Sequence, residues 1–194
     1  MSRCSINIGG ENGFTGTQAG TLLTNLTAAV NSNGLMAGAI FGLDTANATD
    51  AVTVSADMAD SKGPGGGAFV LKKYGAGTLQ LSGANIYTGQ TILDGGTLSV
   101  ASFNRVVGGK AGSSLGAPTT ADNGEIVLGH SESDGDCALI YTGTGEVTDR
   151  VMNLAGKTFT ATFDQSGSGP LKFTSAFAIS GYGAKQLPFC KFLF

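Results

Sequence analysis

Residues 73–100, KYGAGTLQLSGANIYTGQTILDGGTLSV, contain two nearly identical five-residue phrases. GTLQL at residues 77–81 recurs as GTLSV at residues 96–100, nineteen residues later. In both phrases apolar side chains alternate with small polar ones, which is the pattern of a β-strand with one buried face. A recurrence near twenty residues is too long for a hairpin and suits one turn of a solenoid.

The repeated phrase predicts which side chains stack. If each turn lays a short strand ~4.8 Å above the previous one, Leu79 lies over Leu98 and Leu81 over Val100. An antiparallel sandwich would also give short strands with glycine-rich turns, and it remains the alternative, although it does not explain why a whole phrase recurs. The predicted fold class is therefore all-β, with a parallel β-solenoid favoured.

Other parts of the chain show the same alternation. Further strands are predicted at residues 125–128, 158–163, 171–173 and 176–179. Met152 and Leu171 are again nineteen residues apart, which predicts a second stacked pair. Residues 20–43 are predicted to form a short helix or irregular lead-in, because their apolar residues fit helical spacing and residues 31–34 would end a helix; two further turns of the coil are the alternative.

Composition restricts the class of protein. The chain has 194 residues, 32 glycines, 41% hydrophobic residues, 13% charged residues and a net charge of −3. Disordered chains carry more charge and fewer apolar residues, and nucleic-acid binding needs a basic surface, so neither is expected. No apolar run approaches the ~18 residues of a membrane-spanning helix. The N-terminal residues lack the apolar core of a secretory signal.

Two stretches of the chain invite a chemical interpretation. GSSLG at residues 112–116 matches a nucleophile-elbow pattern, but no helix is predicted after it and the single histidine, His130, follows too closely. HSESDGDC at residues 130–137 has alternating carboxylates that could share a calcium ion, yet it lacks a complete calcium loop. We interpret the first as a Gly/Ser loop and the second as a solvated acidic turn.

The three cysteines have no metal-ligand spacing and are too few for a disulfide scaffold. No catalytic residue, metal ligand or cofactor is predicted. The residues that we single out are structural. Leu79, Leu81, Leu98 and Val100 would form the inner stack, and Gly75, Gly77, Gly83, Gly89 and Gly96 would form corners. Asn85 would bond backbone groups in a turn, and Tyr87 would pack against the next turn.

The stretch as a whole resembles the autotransporter-associated β-strand repeat, also called the passenger-associated transport repeat. The positions that match the pattern of this family are Lys73, Gly75, Gly77, Thr78, Leu79, Leu81, Ser82, Gly83, Asn85, Tyr87, Gly89, Thr91, Gly96, Thr97 and Leu98. Residues 113–184 resemble more loosely the segment C-terminal to this repeat in large bacterial surface proteins.

The resemblance implies a right-handed parallel β-helix that forms a single segment over residues 1–184, with the best-matched repeat at 68–101 and a looser unit at 113–184. GYGAK at residues 181–185 is similar to the start of another repeat. The tail at residues 185–194 departs from the pattern and is expected to be a truncated or frame-shifted end. The resemblance also implies a longer parent protein with a signal and a translocator, displayed on the bacterial cell surface or secreted.

The expected function is that of a structural passenger or stalk segment, a stiff spacer without enzymatic activity. Its partners would be the neighbouring repeats of the parent chain, with surface glycans as a second class of partner. The alternative is a carbohydrate-binding or polysaccharide-degrading β-helix. An enzyme would need acids and a base on one outer face, and none of Asp94, Asp122, Asp149 and Asp164 is predicted at an outward strand position. Asp149 and Arg150 are expected to be an ion pair or two solvated charges.

Overall fold

The computed structural model describes residues 5–28, 34–130 and 135–190. In chain order its elements are β1 (Ser5–Asn7), α1 (Gly16–Ala28), β2 (Ile40–Asp44), β3 (Val52–Val54), β4 (Val70–Tyr74), β5 (Thr78–Leu81), β6 (Thr91–Asp94), β7 (Gly96–Val100), α2 (Ala121–Gly124), β8 (Ile126–Leu128), β9 (Cys137–Tyr141), β10 (Glu146–Thr148), β11 (Met152–Leu154), β12 (Phe159–Gln165), β13 (Leu171–Phe173), β14 (Ala178–Ile179), β15 (Lys185–Gln186) and β16 (Phe189–Cys190).

The strands stack into three parallel sheets. Sheet one has the order β1-β2-β4-β6-β8-β11-β14, and sheet two runs β3-β5-β7-β9-β12 with β15 and β16 both paired to β12. Strands β10 and β13 form a short third sheet. Every pairing between these strands is parallel. The prediction of a parallel β-helix is therefore confirmed, and the antiparallel sandwich is excluded.

The repeated phrase produces the predicted stack. Leu79 of β5 pairs with Leu98 of β7, Leu98 pairs with Leu139 of β9, and Leu139 pairs with Phe163 of β12. All four side chains are at most 1% exposed. Burying a large apolar side chain contributes ~1.5–3 kcal/mol. This column therefore contributes much of the stability of contacts between successive turns of the β-helix, which we call coils.

A second column runs beside the first. Val54, Leu81, Val100 and Tyr141 occupy matching positions in successive strands of sheet two and are all buried. The column ends in a polar residue, Gln165, whose amide nitrogen donates to the Gly169 carbonyl. This second column is thus apolar or aromatic in β3, β5, β7 and β9 and becomes polar in β12.

The predicted pairing of Met152 with Leu171 is wrong. Met152 pairs with Ile126, 26 residues earlier, and Leu171 pairs with Glu146, 25 residues earlier, in a different sheet. The interval between stacked residues also reaches 41, between Leu98 and Leu139. Coil length varies because the loops between strands differ in length. The nineteen-residue interval therefore identifies stacked residues only inside the repeat.

The N-terminal helix is present, and it begins before residue 20. Thr15 and Gln18 form a capping box, in which the Gln18 side chain accepts from the Thr15 amide and the Thr15 hydroxyl accepts from the Gln18 amide. The expected stop signal at Asn31 lies outside the described residues. Interpreting residues 40–43 as lead-in is wrong, because they form β2 and place Leu43 in the inner column of sheet one. The helices described here include none long and apolar enough to cross a membrane.

Candidate functional site

The repeat predicted at residues 68–101 contains β4, β5, β6 and β7, so it supplies strands to two coils. Lys73, the first residue of the matched pattern, lies in the inner column of sheet one between Leu43 and Leu93. Its side chain is buried, and Nζ donates to the carbonyl oxygens of Gly75 and, at 2.9 Å, Gly95. Burial lowers the pKa of this amine to about 8. Lys73 therefore closes two successive corners from the inside.

A buried ion pair lies next to this lysine. Lys72 Nζ is 3.0 Å from Asp94 Oδ2, and the two side chains are 7% and 3% exposed. The same ammonium group lies 4.8 Å from the centre of the Tyr74 ring. Sequence reasoning missed this pair, because Lys72 and Asp94 are 22 residues apart and become neighbours only through the register of β4 and β6.

Asn85 connects three coils. Its Oδ1 accepts from the Met58 amide at 2.9 Å, and its Nδ2 donates to the Ser114 carbonyl at 2.7 Å. Its backbone forms an isolated antiparallel bridge with Ser113. The side chain is fully buried, so both bonds replace contacts with water and hold the coils before and after the repeat in register.

Tyr87 is fully buried in the same corner. Its ring centre lies 5.3 Å from that of Phe69, in the preceding coil, and its hydroxyl is 2.8 Å from Thr91 Oγ1. Burial raises the pKa of Tyr87 to about 12. The phenol thus stays neutral at physiological pH and acts as a packing residue with one internal hydrogen bond.

The glycines of the repeat occupy two kinds of position. Gly75 and Gly96 adopt φ angles of +78° and +64°, which are unfavourable for residues with a Cβ. Gly77, Gly83 and Gly89 have ordinary φ angles, but a Cβ on any of them would press on a backbone carbonyl oxygen of the preceding coil. The first pair allows tight corners, and the other three allow close approach of successive coils.

Arg150 is the most important residue that sequence reasoning misplaced. Its side chain is completely buried and therefore not solvated, and within residues 5–28, 34–130 and 135–190 it forms no ion pair with Asp149 or another carboxylate. Nε donates to Gly124 O at 2.6 Å, and Nη1 donates to Phe103 O and Leu115 O at 2.8 Å each. Nη2 has no hydrogen-bond partner among the described residues. Burial lowers the pKa of this guanidinium to about 10. Arg150 thereby fixes the long loop between β7 and β8.

Two carboxylates hold the outer part of the same loop. Asp149 accepts from the amides of Val106 and Val107 at 2.6 and 3.0 Å. Partial burial raises the pKa of Asp149, but these backbone hydrogen bonds outweigh it and the net pKa is lowered. Glu146 accepts from the amides of Phe103 and Asn104, yet burial dominates there and raises its pKa. Both carboxylates therefore have a structural role, because they bind backbone amides of the loop.

The serine pattern at residues 112–116 forms a loop and not an elbow. Ser113 Oγ donates to the Gly116 carbonyl at 2.7 Å, and Ser114 Oγ accepts from the Ala101 amide at 3.2 Å. Both serines are buried, so their hydroxyl groups serve the local backbone.

The acidic turn at residues 130–137 is described only in part, since residues 131–134 lie outside the described residues. Asp136 at its end accepts from the Thr160 amide at 2.7 Å. In the ranges 5–28, 34–130 and 135–190, no group of three or more His, Cys, Asp or Glu side chains could hold a metal ion.

The aspartates considered for catalysis are placed differently from the prediction. Asp164 lies in β12 at an outward position between the buried Phe163 and Gln165, and Asp94 ends β6 in the ion pair described above. Asp94 follows Leu93 of the inner column and therefore also points outward, toward Lys72. The prediction that none of the four lies at an outward strand position is thus wrong for Asp164 and for Asp94. Asp164 Oδ1 accepts from the hydroxyl of Ser166 at 2.7 Å.

The outer face of sheet two is polar. Thr53 Oγ1 and Gln80 Oε1 are 3.0 Å apart on adjacent strands. Further along the sheet, a shallow open depression is lined by Gly96, Thr97, Asp136, Cys137, Ala138, Thr160 and Thr162. Thr97 and Thr162 both lie in this depression, separated along the axis of the β-helix by Ala138.

The stacked parallel coils with their buried corner contacts define the protein as a parallel β-helix. Residues 71–100 match the family model described as Passenger-associated-transport-repeat, and the resemblance to this repeat is therefore confirmed. The chain is also 31% identical over 137 residues to the protein "Adhesin BmaC autotransporter" of Brucella suis biovar 1 (strain 1330). This match covers 70% of the chain and 4% of the length of that relative. No solved structure matches the chain.

Proposed function

We propose that this chain is a stiff spacer segment of an autotransporter-type passenger, displayed on the cell surface or secreted. The observation that carries the proposal is the continuous parallel pairing of sheet one from β1 to β14, seven strands in one direction. With ~4.8 Å between strands, six intervals extend this sheet by about 29 Å. The passenger repeat and the similarity to an autotransporter adhesin support the same function.

The side chains most closely associated with the repeat serve cohesion between coils. Leu79, Leu81, Leu98 and Val100 are buried in the inner columns, and Asn85 joins neighbouring coils through its amide. We propose that these residues, with Tyr87 and the repeat glycines, are the functional residues of the segment, because rigidity is the property a spacer must have. Their partners in this role are the adjacent repeats of the parent chain.

The spacer proposal predicts that length follows repeat number. Residues 71–90 make one complete coil, because Leu71 pairs with Thr91. Tandem insertion of two more copies of residues 71–90 adds two coils and should lengthen the particle by about 10 Å. Small-angle X-ray scattering of the proteins with and without the insert measures this increment. An insert with the same residues in scrambled order is the matched control. An increment no different from that of the scrambled insert would contradict the proposal.

A second candidate function is glycan binding along the outer face of sheet two. The observation that favours it is the shallow depression to which Thr97, Thr160 and Thr162 contribute hydroxyl groups. Glycan-array binding that is lost in Thr97→Val and Thr160→Val variants, and retained in Thr17→Val on α1, would support it. Absence of binding, together with the length increment above, would leave the spacer as the function.

A further inference from the structure

A buried amine and a buried carboxyl group face each other across two neighbouring coils of the repeat. Lys72 lies in β4 and Asp94 in β6, and the two strands pair in parallel. Lys72 Nζ is 3.0 Å from Asp94 Oδ2, and the side chains are 7% and 3% exposed. The Tyr74 ring, whose centre is 4.8 Å from Nζ, covers the amine on one side. The two groups are therefore in contact where water has little access.

As an ion pair this contact is incompletely satisfied. Asp94 Oδ1 is buried and has no hydrogen-bond partner among the described residues. Two charges taken out of water are costly unless further hydrogen bonds satisfy their remaining donors and acceptors. An amide between the two groups would carry no charge, so it would lower the cost of burying them.

The two groups are also close enough to react. Asp94 Cγ is one C–O bond, ~1.2 Å, from Oδ2, so Lys72 Nζ lies within about 4 Å of the carbon that an amine attacks. Reacting atoms in near-attack geometries are ~3–3.5 Å apart, and a small rotation of the flexible lysine side chain covers the difference. The register of β4 and β6 holds the two side chains in this arrangement.

We propose that Lys72 and Asp94 form an intramolecular isopeptide bond that cross-links β4 to β6. The ammonium group first passes one proton to the carboxylate, which leaves a neutral amine and a carboxylic acid. The amine lone pair then attacks Cγ and forms the Nζ–Cγ bond. A second proton moves from Nζ to the departing oxygen, the C–O bond breaks, and one water leaves. One ammonium and one carboxylate thus give one amide and one water, and no oxidant, reductant or further reactant is needed.

The bond should form slowly. Negative charge develops on Oδ1 in the transition state, and donors that stabilise such an oxygen are a main source of rate in acyl transfer. Oδ1 has no donor among the described residues. Once formed, the bond joins residues 22 positions apart and restricts the unfolded chain as a disulfide does. It would also keep the two coils together under mechanical force. The bond is inferred from the pair itself and does not depend on the spacer function.

Intact-mass spectrometry of the whole chain tests the inference. A fresh sample is compared with one kept at about 37 °C for about two weeks, because the reaction is slow. We expect the aged wild type to lose about 18 Da, the mass of one water. Lys72→Arg keeps the positive charge, but its guanidinium stays protonated and does not attack, so this variant should keep its full mass. Lys172→Arg, at an exposed lysine, is the matched control and should lose the same mass as the wild type.

A second reaction with the same loss of mass has to be separated from the first. Asp94 precedes Gly95, and attack of the Gly95 amide on the Asp94 carboxyl would form a succinimide and also release water. Peptide mapping distinguishes the products, because trypsin does not cut after a modified Lys72. The isopeptide bond would join residues 63–73 to residues 74–105 in one branched peptide. A mass loss without the branched peptide, or one that persists in Lys72→Arg, would overturn the inference.

Thermal unfolding gives a second readout of the same bond. Closing this loop should raise the Tm of the aged wild type by roughly 5–10 °C over that of the fresh sample, and leave the Tm of Lys72→Arg unchanged. Circular dichroism confirms that each sample is folded. An aged wild type that is folded and has its full mass would overturn the inference, and this outcome holds even where Lys72→Arg does not fold.

Discussion

Replacement of Arg150 by methionine tests whether the buried guanidinium organises the long loop between β7 and β8. Methionine is also unbranched and flexible, so it keeps much of the packing. It removes the donors to the carbonyls of Phe103, Leu115 and Gly124, whose hydrogen bonds to Arg150 measure 2.6–2.8 Å. Three buried carbonyl groups would then lack a partner.

The size of the effect can be worked out from these three contacts. An unsatisfied buried polar group costs ~1–3 kcal/mol, which gives roughly 3–9 kcal/mol for three such groups. The loss is partly offset because the charged guanidinium no longer has to be desolvated. We therefore expect Arg150→Met to lower the free energy of unfolding by about 3–5 kcal/mol. At about 2–4 °C per kcal/mol for a chain of this size, Tm should fall by roughly 6–20 °C.

Thermal and urea unfolding followed by far-UV circular dichroism provide the measurement. Arg105→Met is the matched control, because Arg105 is exposed and the same substitution there should change stability by no more than about 0.5 kcal/mol. Arg150→Lys should fall between the two, since one ammonium group cannot reach all three carbonyls. If Arg150→Met and Arg105→Met unfold within about 2 °C of each other, the guanidinium does not organise the loop.

Three further predictions concern the repeat. Leu98→Asp buries an unpaired charge in the inner column and should unfold the repeat region. Ser99→Asp, on the outer face of the same strand, should keep a Tm near that of the wild type. Equal melting curves for the two variants would contradict the placement of Leu98 in the interior. Asn85→Ala leaves the Met58 amide and the Ser114 carbonyl unpaired and should lower the free energy of unfolding by about 2–4 kcal/mol, measured by urea titration. A loss below about 0.5 kcal/mol, the effect of an ordinary surface substitution, would argue that Asn85 does not hold the coils in register. Lys73 has a folded-state pKa of about 8, below the ordinary lysine value of 10.5, so between these pH values the folded state binds fewer protons than the unfolded state. The free energy of unfolding of the wild type, compared with that of Lys73→Met, should therefore rise between pH 8 and 10.5. If the difference between the two free energies stays constant over that range, the amine is not desolvated.

The local pattern of the sequence determined the strands of the repeat and their stacking. Alternating residues at 78–81 and 97–100 specify one buried face, and a recurrence of nineteen residues specifies which strand lies over which. The positions of the glycines in this stretch similarly indicate where corners fall. These features are local, so they can be inferred without knowledge of the rest of the chain.

Coil length outside the repeat was decided only by the tertiary structure. The coil that begins near Met152 is longer than the repeat coil, since Asn153 pairs with Ala178 and Glu146 with Leu171, and for this reason the pairing expected for Met152 and Leu171 was wrong. Strand β2 was missed within the expected lead-in, because five residues carry too little pattern to separate a strand from irregular structure.

The polar contacts in the interior could also be known only from the folded molecule. The sequence shows Arg150 beside Asp149 and Lys72 far from Asp94, whereas stacking of the coils buries Arg150 among carbonyls and brings Lys72 within 3.0 Å of Asp94. The physical reason is that two residues lie next to each other in neighbouring coils only if the strands and loops between them add up to one full turn of the solenoid. The sequence determines each strand, and the closed path of the chain determines which polar groups meet.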